Sequence, residues 1–427
     1  MTSTGGAAAR LAEALGVVLG ADEIPLRLRA WDGSEAGPVG APAITIRSRR
    51  AVRRLAWAPG ELGLGRAYVA GEIDIEDDVF DTFAALTSVG RWAAAGQPRG
   101  VSLRDRLRLL RTAVRLGAVG PPPPVPPEEV VPTRRRRRHT RAGDAAAVTH
   151  HYDVGNDFYA LVLGPSMVYS CAVWDDEDTG LDAAQKAKLD LVCRKLGLRP
   201  GMRLLDVGCG WGSLALHAAE RYDVDVVGVT LSGEQARLAR ARAADAGLAE
   251  RVEIRVQDYR DVTDGPYDAI SSIGMSEHVG RTALPTYVAR LHDLLRPGGR
   301  LLNHAISWNA GATSWDSDTF IARYVFPDGE LLPLHEVVAA LEAQRFEVLD
   351  VEALRRHYAL TLRSWVRRLE QHWDEAVTAA GDGRARVWRL YMAASALAFE
   401  AGDMGVNQVL VQRPGGSDPP LRRTAWL

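Results

Sequence analysis

The sequence predicts an α/β protein whose chemistry sits on a doubly wound, mainly parallel sheet, preceded by a separate small α+β domain. Three observations predict this. From residue 144 onward, short β-branched or apolar runs alternate with helical patterns; one run enters the glycine-rich turn Asp206-Val-Gly-Cys-Gly-Trp-Gly212; and a proline- and arginine-rich stretch over 119–143 separates this region from the first 118 residues. Strand alternating with helix argues for parallel crossovers, and ligands of such sheets collect at the carboxyl ends of the strands.

In chain order, residues 1–118 begin with an Ala/Leu helix over Ala7 to Leu19 and continue through a strand at Ala43 to Arg47. Helical periodicity follows at Val79 to Leu86 and at Leu103 to Leu116, while Gly65 to Asp74 reads as strand and turn. Gly120 to Pro127 reads as an extended linker, and the five arginines Arg134 to Arg138 follow it. Such a charge block is a solvated tether, an attractor for anionic lipid headgroups at on the order of 1 kcal/mol per basic residue, or, as a third option, a nucleic-acid contact.

The domain over 144–412 offers strands at Leu204 to Val207, Val224 to Val229, Val252 to Val256, Tyr267 to Ser272 and Arg300 to Ile306. Helices are expected at Leu214 to Arg221, Gly233 to Ala246 and Ala283 to Leu295, the last closed by Arg296-Pro-Gly-Gly299. Residues 308–345 interrupt the sheet with bulky apolar residues, among them Trp308, Trp315, Phe320 and Tyr324, and read as core or as the wall of an acyl tunnel. Strands at Glu347 to Ala353 and Asn407 to Gln412, with helices Thr361 to Ala380 and Arg384 to Ala401 between them, complete the pattern before a tail over 413–427.

Composition narrows the function classes. With 427 residues, 47% hydrophobic content and a formal net charge of −2, the chain is an ordinary globular protein and not, overall, a nucleic-acid binder. Its three cysteines, Cys171, Cys193 and Cys209, form no CxxC pair, so neither a disulfide framework nor a structural metal site is expected, and a reducing cytoplasm fits. No run approaches the roughly 18 apolar residues of a spanning helix, so any membrane is visited at its surface, on the cytoplasmic face.

The turn Asp206-Val-Gly-Cys-Gly210 resembles motif I of S-adenosylmethionine-dependent methyltransferases, in which the glycines let backbone approach a ligand. Asp258, after the strand ending at Val256, stands where those enzymes place an acid near the adenine, and Leu294 to Gly299 resembles a late motif of the same fold. The second strand departs from the pattern, ending in Val229-Thr-Leu-Ser232 without the usual ribose-binding acid. Instead Thr230-Leu-Ser-Gly-Glu-Gln235 resembles the TLSxxQ block of cyclopropane-fatty-acid synthases and mycolic acid methyltransferases, where the Gln contacts the ribose. His150 to Tyr159, Tyr169 to Ala172, Gln257 to Arg260, Glu277 to Gly280 and His357 to Leu362 resemble further blocks of that family, over about 148–412, and the N-terminal domain resembles its longer, phospholipid-acting members.

The resemblance implies a Rossmann-like class I methyltransferase fold with a seven-stranded sheet, and S-adenosylmethionine held by Tyr169, Ser170, Asp206, Gly208, Gly210, Gly212, Thr230, Leu231, Gln235, Asp258 and Tyr259. It implies methyl transfer to a cis double bond of a phospholipid acyl chain and deprotonation by bound bicarbonate, caged by Cys171, Glu277, His304 with the backbone of Ile306, and Tyr358. It further implies a homodimer. A methylene-branched product, requiring a partner reductase, is the alternative fate of the same cation, and a non-catalytic lipid-binding module is the alternative of another class. Taken singly, Cys171 also reads as a small buried hydrophobe, His304 as a core histidine and Glu277 as a helix-start acid.

Overall fold

A computed structural model describes residues 6–19, 23–88, 103–130, 143, 154–309, 319–327, 329–416 and 418–426. The Arg134 to Arg138 run, His150 to Asp153 and Trp315 lie outside the described residues. The chain divides into two compact units, one of residues 1–131, 318–325 and 381–394, the other of 132–317, 326–380 and 395–427.

The first unit holds a small sheet of order β2-β1-β3-β4, with β1 Arg27–Ala30, β2 Glu35–Ala36, β3 Ala43–Ile46 and β4 Ile73–Ile75. Leu26, Leu28, Ile46 and Ile73 are buried beneath it. The expected strand at Gly65 is instead helix Glu61–Val69, and only Ile73–Ile75 is extended. Within that helix Gly65 serves packing, since a Cβ there would collide with the Phe320 ring. The proline run is extended but bound: Arg54 Nη1 donates to Pro124 O at 2.7 Å, Trp57 Nε1 to Gly120 O at 3.0 Å, and Arg66 grips Glu129 through two bonds of 2.6 Å. It belongs to the first unit and is not a free linker through residue 130.

The second unit is built on a sheet of order β11-β12-β9-β8-β5-β6-β7 with the short β10 (Leu332–Pro333) added alongside β9. Its strands are β5 Arg203–Val207, β6 Asp225–Thr230, β7 Val252–Val256, β8 Tyr267–Ile273, β9 Leu295–Trp308, β11 Glu347–Ala353 and β12 Met404–Gln412. The five from β7 to β9 run parallel, whereas β12 lies antiparallel to β9 and β11 antiparallel to β12. Period-two alternation distributes the core. Leu204, Val226, Ile254, Leu302 and Leu410 bury on one side, with helices Leu181–Leu196 and Ser213–Tyr222, while Leu205, Val227, Leu301 and Val409 bury on the other, with helix Ser276–Leu294.

The helix expected over Thr361 to Ala380 is two, Arg355–Gln371 and Trp373–Ala380, broken at His372. The C-terminal tail is packed rather than free: Trp426 is buried in the core, and Arg423 reaches Asp350 and Glu352 at 3.5 and 3.3 Å. Helix Asp382–Ala401 contributes residues to both units.

Candidate active site

The site grows from the carboxyl ends of β5, β6 and β8. After Val207 the chain turns through Gly208 (φ 77°) and Gly210 (φ 54°), conformations that cost L side chains strain. A Cβ at Gly208 would lie 2.5 Å from Met275 Sδ, so that side chain would have to shift, whereas a Cβ at Gly210 meets no protein atom within 4 Å. Gly210 therefore borders open space, and helix Ser213–Tyr222 follows with Gly212 as its N-cap.

The cleft at this turn is lined by Gly208, Gly210, Thr230, Leu231, Gln235, Asp258 and Tyr259, all singled out from the sequence as cofactor residues. Tyr169, Ser170, Asp206 and Gly212 are not among its lining residues. Met275, outside every sequence motif, and His278 and Val279, inside the Glu277 to Gly280 block but given no cofactor role there, close the cleft from the loop after β8 and the start of the following helix. Ser232 caps helix Gly233–Asp245, and Thr230 Oγ1 donates to Gln235 Oε1 at 2.8 Å, so the amide group left to the cleft is the Nε2 donor. Asp258 is clamped by the Arg260 guanidinium, with Oδ1 2.8 Å from Nε and Oδ2 2.6 Å from Nη2.

Beneath the glycine turn lies a buried ionisable cluster. Asp206 accepts from Ser271 Oγ at 2.7 Å, and burial pushes its carboxyl up to about 6. Lys188 donates to Ser170 Oγ at 3.0 Å, and burial pushes its ammonium down to about 8. The lysine's field reaches Cys171, Asp206 and His304, so it joins groups that lie far apart in sequence. Lys188 was missed in the sequence, though a signal existed: spaced with Leu181, Ala184, Val192 and Lys195, it falls on the buried stripe of its helix.

The residues expected to form an oxyanion cage fall into two local groups. In the first, Ile306 N donates to Glu277 Oε1 at 2.7 Å, and Oε2 is buried without a hydrogen-bond partner. Burial pushes the Glu277 carboxyl up to about 7, with the Ile306 N–H opposing. His304, two residues before Ile306 on the same face of β9, has Nδ1 3.3 Å from Gln408 Nε2. With the Gln408 amide oriented this way Nδ1 accepts, which leaves the ring proton to Nε2; that atom, like Gln408 Oε1, is buried without a hydrogen-bond partner. Burial, helped by Lys188, pushes the imidazole down to about 3 and keeps it neutral.

The second group gathers around Leu354, whose carbonyl accepts from Cys171 Sγ at 3.7 Å and Tyr358 N at 3.1 Å. Burial raises the Cys171 thiol, which stays protonated. Tyr358 packs its ring against Trp365 and Phe399, the latter centred 4.8 Å away. Thr361, inside the His357 to Leu362 block but given no role there, fixes the Cys171 loop: its Oγ1 accepts from Ala172 N and Trp174 Nε1, each at 3.1 Å. Among the described residues no His, Cys, Asp or Glu cluster suits a metal ion.

A mainly parallel sheet with a glycine turn after its first strand and a cleft across the ends of the next two is the geometry of a Rossmann-like methyltransferase. Comparison with known proteins makes this specific. The family model for mycolic acid cyclopropane synthetase matches residues 139–409. A "probable fatty acid methyltransferase" of Mycobacterium tuberculosis is 42% identical over 97% of this chain and 98% of its own. Cyclopropane-fatty-acyl-phospholipid synthase of Escherichia coli is 42% identical over 62% of this chain and 66% of its own. A solved mycolic acid cyclopropane synthase complexed with SAH and CTAB is 35% identical, covers 63% of this chain and 98% of its own, and superposes with a TM-score of 0.59. The chain belongs to the mycolic acid cyclopropane synthetase family and is an S-adenosylmethionine-dependent methyltransferase.

Proposed function

We propose that the protein transfers the methyl group of S-adenosylmethionine to cis double bonds in the acyl chains of membrane phospholipids and closes the added carbon into a cyclopropane ring, with bicarbonate as the base. The observation that carries this reading is the pair of buried, unpartnered polar atoms Glu277 Oε2 and His304 Nε2 on adjoining elements. When bound, S-adenosylmethionine supplies an electrophilic methyl group and bicarbonate a basic oxyanion. The donor set fits such an anion. His304 Nε2–H is an unused donor, and burial favours the protonated, hydrogen-bond-donating form of Glu277. A second anion beside Glu277 favours its neutral, donating form further.

Each remaining task falls to this chain's own residues. Gly208, Gly210, Thr230, Gln235 and Asp258 bind and orient the methyl donor from the cleft. The buried rings of Tyr358, Trp365 and Phe399 exclude water from the neighbourhood of Cys171. Glu277 Oε2 and His304 Nε2 hold protons where an alkene-derived cation must lose one.

A second reading keeps the methyl transfer and gives a methylene-branched chain. It is favoured by the relative aligned along nearly the whole chain being named for fatty acid methylation, whereas the cyclopropane-named synthase aligns over 62% of it. The test expresses the protein in cells rich in oleoyl phospholipids and analyses their fatty acid methyl esters by mass spectrometry and proton NMR. Ring protons support the first reading and vinylidene protons the second. No methyl-derived carbon in any acyl chain refutes both.

A further inference from the structure

We propose that helix Leu103–Arg115 of the first unit is an interfacial helix that seats the protein on an anionic bilayer. Its inward side is settled by packing: Ala113 and the following Leu116 lie against Ala7, Ala8 and Trp31. On the outward side Leu107, Leu110 and Val114 are 54%, 58% and 57% exposed. At 3.6 residues per turn these three fall within an arc of roughly 60°, forming one continuous apolar ridge. Arg108, Arg111 and Arg115 are exposed along one flank of the ridge and Arg106 along the other. The helix has a single acid, Asp105, which falls on the inward arc. Arg108 has one exposed partner in Glu13, at 3.8 Å.

An exposed apolar ridge whose own helix flanks it with arginines and with no acid has a restricted set of complements. A second copy meeting it across a two-fold axis would set arginine flanks against arginine flanks. A nucleic acid would satisfy the arginines and leave the ridge in water. An anionic bilayer satisfies both, taking the ridge below its headgroups and the guanidinium groups at them. Close by, where the chain leaves the helix, Val119 and Trp57 are 62% and 59% exposed, with Trp57 Nε1 bound to Gly120 O. Such an aromatic, apolar on its face and polar at its edge, suits the headgroup region. The inference rests on the reading of an acyl-chain substrate, since an enzyme acting on bilayer lipid must first sit on the bilayer.

The experiment uses the full chain and vesicle flotation, with vesicles of phosphatidylglycerol and phosphatidylcholine mixed or of phosphatidylcholine alone. Two variants are compared, Leu107→Ser/Leu110→Ser/Val114→Ser and Arg106→Gln/Arg108→Gln/Arg111→Gln/Arg115→Gln. The natural protein is expected to bind mixed vesicles and not neutral ones. Affinity is expected to fall roughly tenfold or more in the apolar variant and up to roughly a thousandfold in the arginine variant, whose salt dependence also weakens. Circular dichroism and S-adenosylmethionine affinity should stay unchanged in both. Methyl transfer to dioleoyl-phosphatidylglycerol dispersed in detergent, measured in parallel, separates the two readings: its absence in the natural protein refutes the substrate, while flotation alone judges the helix. Undiminished flotation of both variants, equal binding to neutral vesicles, or a change of oligomeric state in the apolar variant would overturn the proposal.

Discussion

Replacing Glu277 by Gln should separate what the residue costs from what it does. The carboxyl sits at about 7 instead of its ordinary 4.5, chiefly through burial, so the folded chain holds a proton there that the unfolded chain releases near 4.5. Folded protein thus binds more protons across this window, and stability falls as pH rises from 4.5 to 7. The loss amounts to about 3 kcal/mol once both states are ionised. Gln keeps the size and the acceptor for the Ile306 N–H but has no proton to release. Urea and thermal unfolding of both proteins at pH 5 and pH 8 should therefore show the natural protein losing about 2–3 kcal/mol, or roughly 3–5 °C, relative to the variant. Turnover should fall by roughly 10²–10⁴ while S-adenosylmethionine affinity, read by calorimetry, stays within about twofold, since Glu277 does not line the cofactor cleft. A difference in stability that does not change with pH would refute the buried-charge account, and normal turnover would refute the catalytic one.

Other expectations follow from single contacts. Thr361→Val removes the acceptor of two buried donors, Ala172 N and Trp174 Nε1, and should cost about 3 kcal/mol in urea unfolding, with Thr361→Ser restoring most of it. Gly210→Ala should cost about 1 kcal/mol of backbone strain yet weaken S-adenosylmethionine binding more than tenfold, because the added methyl enters the cleft; Gly208→Ala should instead destabilise the fold against Met275. Lys188→Met frees Ser170 and should weaken cofactor binding by roughly tenfold in calorimetry. The lysine's depressed position, about 8, means that folding releases a proton between there and 10.5. The stability difference should therefore shift in the natural protein's favour as pH rises from 7 to 10.

Apart from the two-residue β10, the sheet was legible because each of its strands carries a local signal. Val252 to Val256 is a β-branched run bounded by polar residues, and the structure assigns those same residues to β7. The glycine turn was legible because its backbone dihedrals leave few other residue types open. Long-range decisions were not legible. Nothing near Gly65 announces that Phe320 will occupy the space its missing side chain leaves. Nothing in the proline run announces that Arg54 and Arg66 will pin it. The same limit separates the two halves of the site. The cleft at the glycine turn is made of loops whose motifs are contiguous, whereas Lys188, Thr361 and Gln408 act through partners between 18 and 189 residues away.

One physical cause unifies the ionisable groups of the site. Asp206 and Glu277 are raised, Lys188 and His304 are lowered, and in all four burial is the first cause. Every shift therefore moves its group toward the neutral form. An interior that charges its own side chains so reluctantly would also penalise a carbocation left without an electron-rich neighbour. It follows that methyl transfer to an alkene in such a site needs a base close enough to quench the cation as it forms. Glu277 Oε2, His304 Nε2 and Gln408 Oε1 are buried there without a protein partner, and on the proposed reaction the first two would hold the small oxyanion that serves as that base.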